Sequence, residues 1–274
     1  MRTKAIRDLA QLSAPDFFSE ISVGLEHILN NAIRLEQGRN ILAEHKHPHG
    51  HRVLLGIAEE EAAKFHILVD AVRCPLVPRK QFTQQLGRFC NHLAKGIYAE
   101  ACCWRPDTFG RLTEYVGRER EEFYLDGPND VDWIFRNRIL QSREETIYVD
   151  YAETDEGHLW LTPPTSDSDL LFSHTPATLR LAQALRDSGC ITPEALALIA
   201  KLWRPVEMTA DFHWADLRKL NSQTLEELDA DSLLREQPQE VYSTIVQDWP
   251  FPMYSLDLSL ASVDRAVLKE IQER

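Results

Sequence analysis

The sequence predicts an all-α protein, in which a helical bundle with a short β-prone hairpin or arm is followed by a second, smaller helical region. Two observations favour this fold class. The 274 residues include only 11 glycines and are rich in leucine, alanine, glutamate and glutamine, which form helices readily. In several segments, apolar residues also recur at intervals of three and four, the period of an amphipathic helix.

The helices of the predicted bundle are delimited by apolar stripes and by helix-stopping residues. The first stripe begins at Phe17, the second ends before Cys74-Pro75, and the third ends before Arg105-Pro106. These prolines mark helix ends because the residue before a proline disfavours the α-helical conformation. Two shorter segments follow. The predicted helices of this part cover residues 17–44, 52–73, 79–103, 108–125 and 131–142.

A β-prone segment and a linker follow the bundle. Residues 146–151 are rich in β-branched and aromatic side chains, and residues 157–161 come after an acidic turn, which predicts a small hairpin or an extended arm. The run of proline, threonine, serine and aspartate at 162–169 is typical of a linker. Further helices are expected at 176–188, 193–203, 224–235 and 262–273.

Charge divides the chain near the same place. Residues 151–274 hold 10 lysines and arginines against 21 aspartates and glutamates, a net charge of −11, whereas residues 1–150 hold 20 against 22. We therefore predict a helical domain over residues 1–164 and an acidic, mostly helical domain over residues 165–274. The first domain tolerates a polyanion such as RNA. The second is expected to be a solvated surface or to bind a basic partner protein.

Composition and motifs exclude several classes of protein. No run reaches the roughly eighteen apolar residues of a membrane span, and the first twelve residues lack the apolar core of a signal peptide. Five cysteines without a disulfide-framework spacing indicate a cytoplasmic location. The sequence has no P-loop, glycine-rich dinucleotide turn, paired C-x-x-C or G-x-S-x-G turn, so no cofactor is expected.

The second predicted helix carries a carboxylate inside its apolar stripe. Glu61 stands in the middle of the stripe, where a carboxylate is costly unless it is paired or hydrogen-bonded. Either Glu61 lies at the edge of the stripe and reaches solvent, or it orients a basic group on a neighbouring helix. Glu60 and Lys64 stand four residues apart and are expected to pair along the helix surface.

The third predicted helix offers basic groups. Arg88, His92 and Lys95 are spaced i, i+4 and i+7 and would share one helix face. An arginine that binds phosphate, a histidine that exchanges protons near neutral pH and a lysine that adds positive potential suit phosphodiester cleavage. Such cleavage requires no metal when the 2′-hydroxyl of RNA attacks its own phosphate. The alternative is ordinary packing on a helix surface.

Histidines alternate between the first two predicted helices, at His45, His47, His49 and His51. Alternation in an extended loop places side chains on one side, where they could bind Zn²⁺ or Ni²⁺ weakly. A proline and a glycine lie within the segment and no cysteine is near. The alternative is therefore a mobile polar loop.

Three motifs occur in the order of a known family. Residues 58–64 read A-E-E-E-A-A-K and resemble the A-x-E-E-x-x-K helix motif of abortive-infection proteins of the AbiV type. Residues 92–95, H-L-A-K, resemble the downstream H-x-x-K of that family. Tyr148-Val149-Asp150, with Trp160 and Pro163 after it, is similar to the segment that closes the family's domain. The resemblance covers about residues 17–164 of the chain.

The resemblance implies a bundle near the HEPN superfamily, whose ribonucleases form dimers. It also implies that Glu61, His92 and Lys95 meet around one polar centre. In a catalytic version of that centre, His92 would be the acid–base group, Arg88 and Lys95 would stabilise the phosphate, and Glu61 would fix His92 or Lys95.

Three functional hypotheses follow. The first is an intracellular antiviral effector of the abortive-infection kind, a homodimer that attacks or blocks RNA or translation and acts as a metal-independent ribonuclease if it is an enzyme. The second is a non-enzymatic adaptor whose acidic C-terminal region docks on a partner protein. In the third, the acidic region is a regulatory cap over the basic face of the first domain.

Overall fold

The chain is mostly helical in a computed structural model that describes residues 5–122, 124–126, 132–134, 136–154, 157–164, 174–264 and 266. The predicted all-α fold with a short β-hairpin is confirmed. The helices are α1 Ala14–Glu44, α2 Pro48–Arg73, α3 Arg79–Gly87, α4 His92–Ala101, α5 Phe109–Glu119, α6 Arg138–Ile147, α7 Ala177–Asp187, α8 Pro193–Trp203, α9 Trp214–Ala230 and α10 Gln239–Asp248. Short 3₁₀ helices cover Ile6–Gln11 and Arg88–Cys90. The strands are β1 Tyr124–Asp126, β2 Asp132–Ile134, β3 Asp150–Thr154 and β4 Gly157–Leu161.

Helices α1 and α2 form a hairpin with the most extensive contact between any two elements of the described residues. Ser13 caps α1, since its side chain accepts a hydrogen bond from the backbone N–H of Asp16. Ile21, Leu25 and Leu29 recur every fourth residue on the buried face of α1. The hairpin brings α1 against the buried stripe of α2, with Gly24 beside Leu68.

The connection between α1 and α2 differs from the predicted extended histidine loop. Helix α1 ends at Glu44 and α2 already begins at Pro48, so only residues 45–47 link them. Proline is well suited to the first helical position, because its missing N–H is one that the helix would leave without a partner. His49 and His51 consequently lie in the first turn of α2.

The predicted single helix over 79–103 is interrupted. Helix α3 ends at Gly87, a 3₁₀ turn covers Arg88–Cys90, and α4 begins at His92. Asn91 is extended and caps α4, since its side chain accepts a hydrogen bond of 2.9 Å from the N–H of Ala94. The expectation of one continuous helix face from Arg88 to Lys95 is therefore wrong.

The middle of the chain contains hairpins and one displaced helix. The segment predicted as a helix over 131–142 forms strand β2 and the first half of α6 instead. Asn137 caps α6 and its amide donates hydrogen bonds of 2.8 Å to the carbonyls of Glu119 and Glu121. The predicted hairpin is confirmed, with β3 and β4 antiparallel and Tyr151 opposite Trp160, but its first strand begins at Asp150 because residues 146–147 still belong to α6.

The C-terminal helices α7 and α8 lie where they were predicted, and Thr192 caps α8 with Pro193 after it. Helix α9 begins ten residues before the predicted 224–235 helix, at Trp214. The predicted helix over 262–273 falls largely outside the described residues, as does most of the predicted linker. Helices from both sides of residue 165 contribute to one hydrophobic core, in which α7 and α8 pack against α1 and α2.

A buried ion pair joins the two parts of the chain. The guanidinium of Arg73 lies between Trp203 and Trp249, bonds to Asp70 and donates a hydrogen bond of 3.1 Å to the carbonyl of Pro250. Asp70 also accepts hydrogen bonds from the Tyr98 hydroxyl, at 2.7 Å, and from the backbone N–H of Met253, at 2.8 Å. The network fixes the segment after α10 against α2.

Candidate active site

A polar cluster lies where α2, α4 and α6 meet. Glu60 of α2 accepts a hydrogen bond of 2.5 Å from Nζ of Lys95 and one of 3.0 Å from Nδ1 of His92, both on α4. Its other carboxylate oxygen accepts a hydrogen bond of 2.7 Å from Nε of Arg143 on α6. The four side chains form one connected acid–base and cationic group, which we call the Glu60 cluster.

The elements around the Glu60 cluster give each side chain a different exposure. The Asn91 cap places His92 in the first turn of α4, where 48% of its side chain is exposed. Lys95 lies one turn further along and only 6% of its side chain is exposed. Gly96 allows α6 to approach α4 closely, since a Cβ there would overlap Cγ2 of Ile139. This approach brings Arg143 to Glu60.

The charges in the cluster determine the protonation of His92. Burial alone would raise the pKa of the Glu60 carboxyl, but Lys95, His92 and Arg143 outweigh burial and lower that pKa. Burial lowers the pKa of His92, and the positive charges of Lys95 and Arg143 lower it further against the opposing effect of Glu60. At neutral pH the imidazole is therefore neutral beside an ionised Glu60.

Two side chains contact Nδ1 of His92, an acceptor and a donor. Nδ1 lies 3.0 Å from the Glu60 carboxylate and 3.2 Å from Nζ of Lys95, which itself donates to Glu60 at 2.5 Å. In the tautomer with the proton on Nδ1 the ring donates to Glu60, since an ionised carboxylate only accepts hydrogen bonds. Nε2 then keeps its lone pair, and no residue that the structure describes bonds to it. A histidine held at Nδ1 by a carboxylate, with a basic Nε2 facing solvent, is arranged as a general base.

The cluster lies at one side of a cavity of about 250 Å³ between the same helices. Most of the wall is apolar, and its polar members include Glu59 and Glu100. Glu100 is occupied by the Tyr115 hydroxyl and by Arg138. Glu59 is half-buried and makes no hydrogen bond or ion pair within the described part of the chain.

The structure exchanges the predicted roles of Glu60 and Glu61. Glu61 forms the ion pair with Lys64, at 2.6 Å, and accepts a hydrogen bond of 2.9 Å from the side-chain amide of Asn31 on α1. The predicted pairing of Glu60 with Lys64 and the predicted contact of Glu61 with His92 or Lys95 are therefore wrong. Successive helix residues point about 100° apart, so only Glu60 faces α4.

Arg88 lies outside the Glu60 cluster. Its guanidinium donates hydrogen bonds to the Gln85 side chain, at 2.6 Å, and to the carbonyl of Met253, at 2.7 Å, and it also bonds to the carbonyl of Leu256. The predicted phosphate-stabilising role of Arg88 therefore does not fit its position. The 3₁₀ turn before Asn91 rotates Arg88 away from His92 and towards the C-terminal segment.

The histidines of the α1–α2 connection are separated by the start of α2. Nδ1 of His45 lies 2.9 Å from the Ile41 carbonyl, Nε2 of His49 lies 3.1 Å from the Thr146 carbonyl, and His51 is buried. His47 precedes α2. Within the described ranges, no group of three or more histidine, cysteine, aspartate or glutamate side chains could hold a metal ion. The predicted one-sided array is thus absent there.

Two residues of the site were missed from the sequence. Arg143 lies 83 residues from Glu60, and no local pattern connects positions so far apart. Glu59 belongs to the same run of three glutamates as Glu60 and Glu61. The available signal was that this acidic run interrupts a segment with many apolar residues. The run indicated a polar site on α2 and did not indicate which carboxylate serves it.

The fold and the Glu60 cluster together define an all-α protein with an acid–base group at the rim of a cavity. None of the described helices is both long and apolar enough to cross a membrane. No protein-family model, curated protein or solved structure matches the chain.

Proposed function

We propose that this protein cleaves RNA at the Glu60 cluster without a metal ion. The observation that carries the proposal is the bond between Glu60 and Nδ1 of His92, which leaves a neutral, solvent-facing Nε2 beside two cations, Lys95 and Arg143. A base next to positive charge suits attack on a phosphodiester, because the cations stabilise the negative charge that develops on the phosphate.

The chemistry requires only groups of the RNA and of this chain. Nε2 of His92 takes the proton of a ribose 2′-hydroxyl, and the 2′-oxygen bonds to the adjacent phosphorus. The bond from phosphorus to the 5′-oxygen breaks, and that oxygen takes a proton from solvent. The products are a 2′,3′-cyclic phosphate and a 5′-hydroxyl, and His92 returns its proton to solvent.

The biological setting that we propose is antiviral abortive infection in the cytoplasm. The resemblance of residues 58–64 and 92–95 to AbiV-type motifs supports it, because Glu60, His92 and Lys95 belong to those two motifs. All five cysteines are free, which is the expected state in a reducing compartment. In this setting, cleavage of host or viral RNA would stop growth of the infected cell.

The test compares a variant of His92 on α4 with variants at two neighbouring positions of α2. Purified full-length protein is incubated with labelled tRNA and ribosomal RNA in EDTA, together with His92→Ala, Glu60→Gln and Glu61→Gln. We expect the wild type to produce fragments with 2′,3′-cyclic phosphate ends. The cleavage rate of His92→Ala should be lower by a factor on the order of 100 or more. The cleavage rate of Glu60→Gln should fall roughly tenfold or more, because a glutamine no longer fixes the proton of His92 on Nδ1.

Glu61→Gln is the matched control. It removes the same charge one residue away but leaves His92, Lys95 and Arg143 with their partner, so its cleavage rate should stay within about twofold of wild type. Absence of cleavage by the folded wild type would contradict the proposal, and so would equal losses in Glu60→Gln and Glu61→Gln.

A further inference from the structure

Among the residues that the structure describes, Glu59 differs from the other carboxylates of the cavity in making no hydrogen bond or ion pair. Glu60 is bonded by three basic side chains, and Glu100 is held by Tyr115 and Arg138. Glu59 is half-buried, lines the cavity and makes no hydrogen bond or ion pair within the described residues. A partly buried carboxylate without a partner costs free energy, so a ligand that donates hydrogen bonds to it would gain affinity.

The remaining wall combines aliphatic and polar side chains. The cavity of about 250 Å³ is smaller than sites for drug-sized ligands, and it is lined by eight polar or charged residues and by seven aliphatic side chains from α2, α4 and α6. These include Val53, Leu55, Ala99, Ile139, Leu140 and Ile147. Proteins that extrude a base from its stack hold its faces between aromatic or apolar side chains and hydrogen-bond its Watson–Crick edge.

We infer that the cavity binds an unpaired guanine of the RNA and that the Glu59 carboxylate accepts hydrogen bonds from its N1–H and N2–H. Guanine alone among the four RNA bases offers two adjacent donors on its Watson–Crick edge, which match the two oxygens of one carboxylate. This inference rests on the proposed RNA cleavage, since it assigns the base that lies beside the phosphate at His92.

The surroundings of Glu59 make guanine binding depend on pH. Burial raises the pKa of Glu59 to about 7, Arg39 opposes this effect, and Glu36 and Glu100 add to it. The ionised carboxylate accepts both donors, so guanine binding should strengthen as pH rises from 6 to 8. The titratable and charged groups around Glu59 and the cavity are Glu36 and Arg39 of α1, Arg52 and Glu60 of α2, His92, Glu100 and the Cys103 thiol on or after α4, and Arg143 of α6.

The experiment measures binding of the four nucleosides to full-length protein by NMR titration. Nucleosides carry no phosphate, so their binding reports on the base pocket without any cleavage. We expect guanosine to bind roughly tenfold or more tightly than adenosine, cytidine or uridine at pH 8. Glu59→Gln should abolish the preference and its rise with pH, whereas Glu61→Gln should retain both.

Two results would overturn the guanine pocket: equal affinity of the wild type for all four nucleosides, or a guanosine preference that survives in Glu59→Gln. Because the first of these uses only the wild type, the inference can be tested even if the variant fails to fold. Failure of the pocket is distinguishable from failure of the proposed function. Cleavage of RNA without a guanosine preference removes the pocket alone, and a guanosine preference without RNA cleavage removes the proposed ribonuclease alone.

Discussion

His66 shows how a single buried side chain links stability to pH. The residue is 3% exposed, and Nε2 donates a hydrogen bond of 2.8 Å to the carbonyl of Thr178, which ties α2 to the start of α7. Burial lowers the pKa of His66 from 6.5 to about 4, against smaller opposing effects of the Thr178 bond and of Asp70. The folded protein therefore holds His66 neutral.

The sign of the pH effect follows from this lowered pKa. Below about pH 6.5 His66 binds a proton in the unfolded chain but stays neutral in the folded chain. The free energy of unfolding therefore falls as pH falls towards 4. The lowered pKa of His66 can reduce the free energy of unfolding by about 3 kcal/mol in all, and about 2 kcal/mol of this reduction should be reached by pH 5. Urea denaturation of wild type and His66→Gln at pH 7.5 and pH 5 measures it.

The variant comparison isolates His66 from the other titrating groups. His66→Gln should show a smaller loss of stability between pH 7.5 and pH 5 than the wild type. His27→Gln, at an exposed position of α1, should keep the full loss. Equal pH dependence in wild type and His66→Gln would show that a group other than His66 causes the loss of stability at low pH.

Residue types of the site could be predicted from the sequence, but the choice among neighbours could not. A glutamate run on α2, with His92 and Lys95 on a later helix, indicated a polar centre. Glu60 and Glu61 lie on the same turn, and only the positions of α4 and α6 decide which of them meets His92. Side-chain direction depends on tertiary packing, which local periodicity does not contain.

At the scale of elements, the break between α3 and α4 was hidden by a continuous apolar pattern. Phe82, Leu86 and Leu93 are all buried, so the stripe runs on across the 3₁₀ turn. Asn91 was the available signal, because asparagine is favoured as a helix N-cap. A break of this kind preserves the core pattern and redirects the polar side chains, which explains why Arg88 joins the C-terminal segment and His92 joins Glu60.

The contact between α4 and α6 depends on Gly96. A Cβ at this position would overlap Cγ2 of Ile139, so Gly96→Ala should push α6 away and weaken the bond between Arg143 and Glu60. Overpacking of this kind costs about 1–3 kcal/mol. We expect a lower midpoint of thermal unfolding and, in an NMR titration, a His92 pKa above that of the wild type, because a positive neighbour moves away.

Gly117→Ala is the matched control for Gly96→Ala. Gly117 lies in α5, and a Cβ there meets no atom within 4 Å. Alanine at such a site should stabilise by up to about 1 kcal/mol, since it reduces the freedom of the unfolded chain. A Gly96→Ala variant that is as stable as Gly117→Ala would contradict the close packing of α4 on α6.

At the scale of the whole molecule, the acidic region completes the core of the first 164 residues. The buried face of α2 meets the C-terminal part through its backbone and side chains. The backbone carbonyl of Thr178 accepts a hydrogen bond from His66, and that of Pro250 accepts one from Arg73. The backbone N–H of Met253 donates a hydrogen bond to Asp70. The uneven distribution of charge along the chain indicated two parts. Charged residues lie on the surface, however, so their distribution does not show whether the two parts share a hydrophobic core.

A truncation at the predicted boundary therefore tests the architecture. Residues 1–164 alone would expose the apolar face that α7 and α8 cover, and would leave the Asp70–Arg73 pair without the Pro250 and Met253 contacts. We expect this fragment to lack a cooperative urea transition, because each large apolar side chain that it newly exposes to water costs roughly 1.5–3 kcal/mol, and several such losses are a large part of a typical domain stability. Mixing it with a fragment of residues 174–274 should restore the transition. If residues 1–164 unfold cooperatively by themselves, with the stability of the full chain, the acidic region is a detachable cap and the shared core contributes nothing to folding.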